Sequence, residues 1–134
     1  KSPKDAVKNG LCYLSEDRKQ YGLLLNKSVS ENTVLASLEK FISFGFLNKQ
    51  KEITESYYYN KKLKTKTPSM EHLVKNLSGG NQQKVVVARW LIKNSDIFIF
   101  DEPTRGIDIG AKSEMYALMD DLVKKGKSIM IYPF

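Results

Sequence analysis

A small-residue turn in the middle of the sequence, Ser78-Gly79-Gly80, has residue types suited to binding phosphate. We call it the glycine turn. Ser78 can cap a following helix with its hydroxyl, and glycines without side chains let a phosphate approach the backbone closely. The free N–H groups and the dipole at a helix N-terminus attract anions. Taken alone, the turn is equally typical of plain helix capping. It therefore predicts an anion site only in combination with other groups.

Two adjacent carboxylates, Asp101 and Glu102, provide the second chemical feature, and we call them the acidic pair. They follow residues 97–100, an apolar run of β-branched and aromatic residues typical of a buried parallel strand. Open α/β sheets bind ligands at the carboxyl ends of their strands. Taken alone, two carboxylates after a strand could equally serve solubility at a loop. Together with the glycine turn, in this order and at this spacing, they favour a ligand site.

The elements that position these residues follow from caps and apolar spacing. A strand is predicted at 11–14, and the helix after Ser78 should run to about Asn94, largely surrounded by protein because 85–92 is apolar on nearly every side. Asp108 should cap the next helix, which Gly126 ends before a last strand at 128–132. This alternation predicts an α/β unit with a right-handed crossover.

The sequence predicts helices in the region between the first strand and the glycine turn. Ser28 and Glu31 form a capping-box pattern that starts a helix ending at Gly45. Its apolar face would comprise Val34, Leu35, Leu38, Phe41 and Ile42. A second helix is expected from Asn48 to Leu63, with Ile53 and Tyr57 as its buried edge. Residues 1–10 are polar and are expected to be loosely held.

Composition bounds the class of protein. The net charge of +7 arises from 22 basic and 15 acidic residues, which leaves open a basic, non-enzymatic nucleic-acid-binding module. The densest basic stretch, 61–66, follows three tyrosines at 57–59, but a solvated face is the favoured interpretation. The single Cys12 excludes an internal disulfide and suits packing in a cytosolic protein. His72 has no histidine or cysteine partners in sequence, so we predict no metal role for it.

Two longer strings carry a resemblance to a known family. Leu-Ser-Gly-Gly at 77–80, followed by an apolar strand and Asp-Glu-Pro-Thr at 101–104, resembles the ATPase domains of ABC transporters. Residues 101–112 and the Glu-Asp-Arg-Lys at 16–19 resemble the second ATPase half of the tandem importers of ribose, galactose and xylose. The implied fold is α/β, a partial P-loop NTPase core with a short parallel sheet and a helical signature subdomain. Residues 1–27 and 95–134 would form the core, and 28–94 the helical insertion with the signature helix.

The resemblance implies a role for each matching residue, with ATP and Mg²⁺ as cofactors. The glycine turn, together with Gln82, would complete the nucleotide site of an opposing ATPase half. Asp101 would hold Mg²⁺, Glu102 would be the catalytic glutamate, and Asp108 would lie across the seam between halves. Glu16 stands where most relatives have a glutamine that senses Mg²⁺ and the membrane subunit, and it would share in the Mg²⁺ site through ATP.

The resemblance also implies a setting. The chain would work at the cytoplasmic face of the plasma membrane, bound to transmembrane permease subunits and to a tandem ATPase half. The region from Gly22 to Ser28 would contact the permease. A sugar-binding protein would be an indirect partner. No nucleic acid is implied, and a nucleoside importer of similar architecture remains an alternative. The pattern G-x-x-x-x-G-K-[ST] does not occur, so we expect a piece of a longer protein that is inactive alone. The strand of Asp101 should be central, and the last strand a bare edge that favours self-association.

Overall fold

The computed structural model describes residues 1–132, with the side chain of Tyr21 excepted. Its helices are α1 (Pro3–Lys8), α2 (Val29–Val34), α3 (Lys49–Lys62), α4 (Gly79–Ile92) and α5 (Ile109–Lys124). Its strands are β1 (Leu11–Leu14), β2 (Ile42–Ser43), β3 (Phe46–Leu47), β4 (Ile97–Asp101) and β5 (Ser128–Tyr132). The final two residues of the predicted core segment 95–134 lie outside this described part.

The main sheet is parallel, in the order β1-β4-β5, so the strand that ends in Asp101 is central, as predicted. Side chains of β4 alternate, with Phe98 and Phe100 fully buried and Ile97 and Ile99 only partly so. Within the described residues, β5 is an edge strand whose last three residues are each more than a third exposed. The sheet therefore brings Asp101 to the carboxyl end of its middle strand.

The hydrophobic core lies between this sheet and the helices α4 and α5. Phe98 and Phe100 stack with ring centroids 6.2 Å apart, and α5 contributes a buried stripe that includes Met115 and Leu122. Cys12 belongs to this core, and burial raises the pKa of its thiol to about 12. The prediction that Cys12 serves packing is confirmed. In residues 1–132 no helix has the length and apolarity needed to cross a bilayer.

The expectation that residues 1–10 are loosely held is wrong. They contain α1, which starts with a capping box in which the Ser2 N–H donates to Asp5 Oδ2 at 2.9 Å and the Asp5 N–H donates to Ser2 Oγ at 3.4 Å. Pro3 occupies the first helical position, which its fixed φ suits. Gly10 O accepts from the N–H groups of Asp96 and Ile97, which ties this segment to the start of β4.

The single helix predicted from Ser28 to Gly45 is also wrong, although its capping box is present. Helix α2 ends at Val34, and a tighter 3-10 segment runs to Phe41 with a kink at Ser37, where φ is −134° and ψ is 32°. A short hairpin, β2 and β3, then replaces the predicted last turn. Gly45 has a φ of +82° in the turn of this hairpin and ends no helix. Of the predicted apolar face, Leu35, Leu38 and Ile42 are exposed.

Helix α3 has nearly the predicted bounds, but its buried face is polar. Glu52, Ser56 and Asn60 are buried, whereas Tyr57 is 53% exposed, so the predicted edge of Ile53 and Tyr57 is wrong for the tyrosine. The reason is hydrogen bonding to α2, because Ser56 Oγ donates to Ser30 O at 3.3 Å and Asn60 Nδ2 donates to Thr33 Oγ1 at 3.0 Å. Partnered polar groups can be buried where unpartnered ones could not.

Candidate functional site

The carboxyl end of β4 is held by a residue of the neighbouring strand. Tyr13 of β1 donates its hydroxyl to Asp101 Oδ2 at 2.5 Å. This hydrogen bond is the main cause that raises the pKa of Tyr13 to about 12, because losing the phenolic proton would break it and leave two negative charges in contact. Tyr13 thereby fixes one oxygen of Asp101 in place. Sequence reasoning did not single out Tyr13, since nothing local shows which strands are neighbours.

Glu102 sits in an unusual backbone conformation directly after β4. Its φ of +44° lies in the left-handed region, which costs a non-glycine residue roughly 1 kcal/mol. Two hydrogen bonds hold it there, from the Glu102 N–H to Tyr132 O at 2.6 Å and from the Arg105 N–H to Glu102 O at 3.1 Å. Such strained positions cluster at functional sites when the surrounding structure enforces them.

The guanidinium of Arg105 lies between the carboxylates of Glu16 and Glu102, beside the carboxyl end of β4. Arg105 Nη1 lies 2.7 Å from Glu16 Oε2 and 3.5 Å from Glu102 Oε2. The hydrogen bond between the two carboxyl groups raises the pKa of Glu102 and lowers that of Glu16, and Arg105 lowers the latter further. All three side chains are well exposed, so these pairs add little to the free energy of folding. The arrangement makes Glu102 a readier proton acceptor than an ordinary glutamate.

The glycine turn begins α4 as predicted, with Ser78 as its N-cap. Ser78 Oγ accepts from the Asn81 N–H at 3.4 Å and from Asn81 Nδ2 at 2.8 Å. The first backbone bond of the helix runs from the Gln82 N–H to Ser78 O at 2.9 Å. The N–H groups of Gly79 and Gly80 precede that bond, so the helix itself does not use them. They form the kind of helix tip that binds anions.

The glycine turn packs against the loop that follows the acidic pair. A Cβ atom on Gly79 would overlap the Arg18 guanidinium and lie 3.0 Å from Gly106 O. A Cβ atom on Gly80 would lie 2.9 Å from the Cβ atom of Ala111, in the first turn of α5. Both glycines are therefore required by close packing within the chain, apart from any ligand. The fold brings the glycine turn beside the segment that starts with Asp101 and Glu102.

Arg18 is a candidate functional residue that sequence reasoning noted only as part of a charged run. It is 8% exposed, its Nη1 donates to Arg105 O at 3.2 Å, and its Nε has no hydrogen-bond partner among the described residues. Burial lowers the pKa of its guanidinium, opposed by Asp17. The guanidinium lies against Gly79, so a positive charge adjoins the tip of α4. No local signal reveals such burial, because Gly79 and Gly106 are remote in sequence.

Two predicted site residues have structural contacts of their own. Asp108 Oδ1 accepts from the Ala111 N–H at 2.8 Å and caps α5, as predicted. Gln82 is buried, and its Nε2 donates to Val74 O at 3.1 Å. The structure thus gathers Glu16, Asp101 and Glu102 at the sheet end and does not bring the Gln82 amide to the surface.

The donor set fits a magnesium–nucleotide ligand. Carboxylate oxygens such as those of Asp101 and Glu16 are the protein ligands that Mg²⁺ prefers. In residues 1–132 no three such side chains are arranged to hold a metal ion by themselves. The tip of α4 and the guanidinium of Arg18 supply groups suited to a phosphate.

We expect Gly80→Ala to destabilise the chain, because the added Cβ would push Ala111 and α5 away from α4. Overpacking of this kind typically costs about 1–3 kcal/mol. The matched control is Gly110→Ala, whose Cβ would lie at an ordinary 3.4 Å from Asp108 Oδ1. Thermal unfolding followed by circular dichroism measures both variants. If Gly80→Ala unfolds at the same temperature as Gly110→Ala, the close packing of α4 on α5 is wrong.

Solved structures share this fold. A dimeric ATP-binding cassette in a post-hydrolysis state, bound to ADP and phosphate, superposes with a TM-score of 0.74 at 21% identity, covering 98% of this chain and 56% of that chain. A nucleotide-free ATP-binding cassette from an ABC transporter superposes with a TM-score of 0.77 at 20% identity, covering 98% and 53%. At these identities the likeness shows the fold alone. It confirms the α/β cassette architecture predicted from the sequence.

Curated relatives are closer in sequence. The chain is 52% identical over 128 residues to a ribose import ATP-binding protein of Clostridium perfringens and 48% identical over 130 residues to a xylose import ATP-binding protein of Thermoanaerobacter pseudethanolicus. These alignments cover 95% and 97% of the chain but 26% of each relative, so the chain spans about a quarter of their length. A Halalkalibacterium halodurans protein provisionally named as a ribose/galactose/methyl galactoside import ATP-binding protein is 53% identical to the chain over 131 residues. That alignment covers 98% of the chain and 25% of the relative. Residues 3–105 match the family described as ABC transporter, and the chain belongs to that family.

Proposed function

We propose that this chain is part of the ATP-hydrolysing subunit of an ABC importer for a monosaccharide. The observation that carries the proposal is identity of about half over nearly the whole chain to proteins named for ribose and xylose import. The geometry supports it, because the acidic pair ends the central strand and the glycine turn packs beside the loop that follows. Coverage of only a quarter of those relatives supports a segment of a longer protein.

In this proposal Asp101 binds Mg²⁺ together with the phosphates of ATP, and Tyr13 keeps its carboxylate in position. Glu102 orients the attacking water and takes up its proton, a role that the raised pKa of this carboxyl supports. Glu16 lies beside Glu102 and contributes to the same Mg²⁺ shell through ATP. Bound Mg²⁺ supplies stabilisation of the charge that develops on the phosphates.

The glycine turn and Asp108 are assigned to the opposing ATPase half. Ser78, Gly79 and Gly80 would direct the tip of α4, with the adjacent charge of Arg18, at the triphosphate bound there. Gln82 supports that tip from within rather than by contact, since its amide bonds Val74 O. The chain alone therefore has one part of each of two nucleotide sites, and we expect it to hydrolyse no ATP by itself.

The proposed setting of the longer protein is the cytoplasmic face of the plasma membrane, bound to permease subunits that a sugar-binding protein serves from outside. The edge strand β5, with Met130 half-exposed, favours self-association of the isolated chain. The relatives support the ATPase and give no support to a nucleic-acid-binding module, since they are named as import ATP-binding proteins. Lys61 and Lys62 lie over the half-exposed rings of Tyr57 and Tyr58, at 5.6 and 4.8 Å from their centroids, so a lysine covers one face of each ring.

Complementation tests the cargo. The full reading frame that contains this chain, expressed with its neighbouring permease and binding-protein genes, should restore growth on ribose, galactose or xylose to a host that lacks its own importers. Growth restored on a nucleoside and on none of these sugars would show that the cargo is a nucleoside, and the assignment as an ATPase would stand. A purified longer protein that binds no ATP would contradict the ATPase assignment itself.

A further inference from the structure

The hairpin of β2 and β3, residues 42–47, exposes an unusual amount of apolar surface. Phe44 at its tip is completely exposed, and Phe46 is 77% exposed. Ile42 and Leu47 form a cross-strand pair and are each about half exposed, while Phe46 pairs with Ser43 on the alternate face. Apolar side chains are thus open to solvent at the tip and on both faces of this hairpin.

Phe44 occupies a turn position whose backbone conformation is unfavourable for a bulky residue. Phe44 and Gly45 are the two central residues of the turn, and both have positive φ, 53° and 82°. A two-residue turn of this type favours Asn, Asp or Gly at its first position, and a bulky residue there is strained. The Phe44 side chain packs on nothing in the described chain, so it adds no packing contact that would stabilise the fold. Its presence points to a contact outside the chain.

The base of the hairpin is fixed to helices α2, α3 and α4. Phe41 immediately before it is buried in a cluster with Val34 and Ile92. The Asn48 N–H donates to Phe41 O at 2.6 Å, and Asn48 caps α3 through a bond from the Lys51 N–H at 3.1 Å. The apolar tip is therefore carried on a fixed support rather than on a free loop.

Lysines surround that base. Lys40 Nζ donates to Ile92 O at 2.8 Å, and Lys51 Nζ donates to Lys40 O at 2.8 Å, which keeps both ammonium groups close to where the hairpin leaves the protein. Lys49 follows directly after Asn48. Three carboxylates lie nearby: Glu39 pairs with Lys93 at 3.1 Å, the buried Glu52 lies 3.4 Å from Lys49, and Glu55 lines the same pocket as Lys40 and Lys51. Lysines still outnumber carboxylates there by four to three, so the hairpin has an apolar aromatic tip and a base with a small positive surplus.

We infer that this hairpin inserts its tip into an anionic lipid surface. Apolar side chains gain by entering the interface while lysines at the base attract acidic head groups, and lysine stems tolerate that position. A protein groove would normally cover one face of a hairpin, whereas a fluid lipid interface covers the tip and both faces together. The surface comprises the hairpin and the lysines beside it, at positions 40–51, and the inference does not depend on the nucleotide site.

The test is co-sedimentation of the 134-residue chain with phosphatidylcholine vesicles prepared with and without phosphatidylglycerol. We expect binding to the anionic vesicles that weakens as salt rises. Phe44→Asn and Phe46→Ser should each lower the partition coefficient about tenfold, because each removes one inserted ring. Phe44→Asn should also unfold at the same or a higher temperature than the unaltered chain, since Asn suits the turn. That combination separates lost binding from lost structure.

Val123→Ser is the matched control, because it removes a half-exposed apolar side chain from α5. It should bind vesicles as the unaltered chain does. The indole of a Phe44→Trp variant should be quenched by lipids brominated in their acyl chains. Equal binding by Phe44→Asn, or an unquenched indole, would mean that the net charge of +7 alone draws the chain to the vesicles, and the inference would be overturned. It would also be overturned if Phe44→Asn dissociated an oligomer in lipid-free solution while vesicle binding was absent.

Discussion

Replacing Glu102 with Gln in the longer protein should lower ATP hydrolysis at the site that Glu102 faces by about 100-fold or more, the effect typical of losing a general base. The amide keeps the size of the side chain and can still accept a hydrogen bond from Arg105, which now lies 3.5 Å from the carboxylate. It cannot take up a proton from water. ATP binding should persist, since the phosphate-facing groups are unchanged.

Steady-state release of phosphate and equilibrium binding of ATP measure the two quantities separately. Glu71→Gln is the control, because it neutralises an exposed carboxylate elsewhere in the chain and should leave both unchanged. Hydrolysis by the Glu102→Gln protein within a few-fold of the unaltered rate would remove Glu102 from the reaction. Loss of ATP binding together with hydrolysis would assign Glu102 to binding instead.

Phe98→Ala should destabilise the fold strongly. Phe98 is fully buried in the central strand and stacks on Phe100, so its removal leaves a cavity under α4 and α5. Such a truncation costs about 3–5 kcal/mol, which approaches the whole stability of many small domains. Urea unfolding followed by circular dichroism should show a much lower midpoint or no folded baseline.

Tyr132→Ala provides the comparison for Phe98→Ala, because Tyr132 is 58% exposed on the neighbouring edge strand. We expect its midpoint to differ little from that of the unaltered chain. Similar losses for both variants would mean that the core does not centre on β4.

Sequence signals that act within a few residues predicted their parts of the fold well. Ser78 and Asp108 cap the helices assigned to them, and each bond spans three residues. The apolar run before Asp101 forms the central strand because β-branched and aromatic residues suit a buried strand. The strand order came from the family resemblance, and the structure has the same order.

Features that depend on distant partners could not be predicted. The face of α3 is polar because Ser56 and Asn60 donate hydrogen bonds to acceptors on α2, about 26 residues away. The apolar spacing after Ser28 fits a helix, but the kink at Ser37 and the hairpin follow from how Phe41 packs. Arg18 escaped notice because its burial depends on Gly79 and Arg105. In each case tertiary contacts overrode a local pattern.

Retention of nucleotide is the most direct test of the claim that the chain supplies part of two nucleotide sites. The longer protein carrying Glu102→Gln is loaded with radiolabelled ATP and Mg²⁺, and the label kept after rapid gel filtration is compared with that kept when Ser78→Arg is added. A side chain at the tip of α4 would block its approach to the opposing triphosphate. We predict that the single variant retains ATP and that the double variant loses it. Equal retention by both would contradict the account, because the glycine turn would then contact no nucleotide.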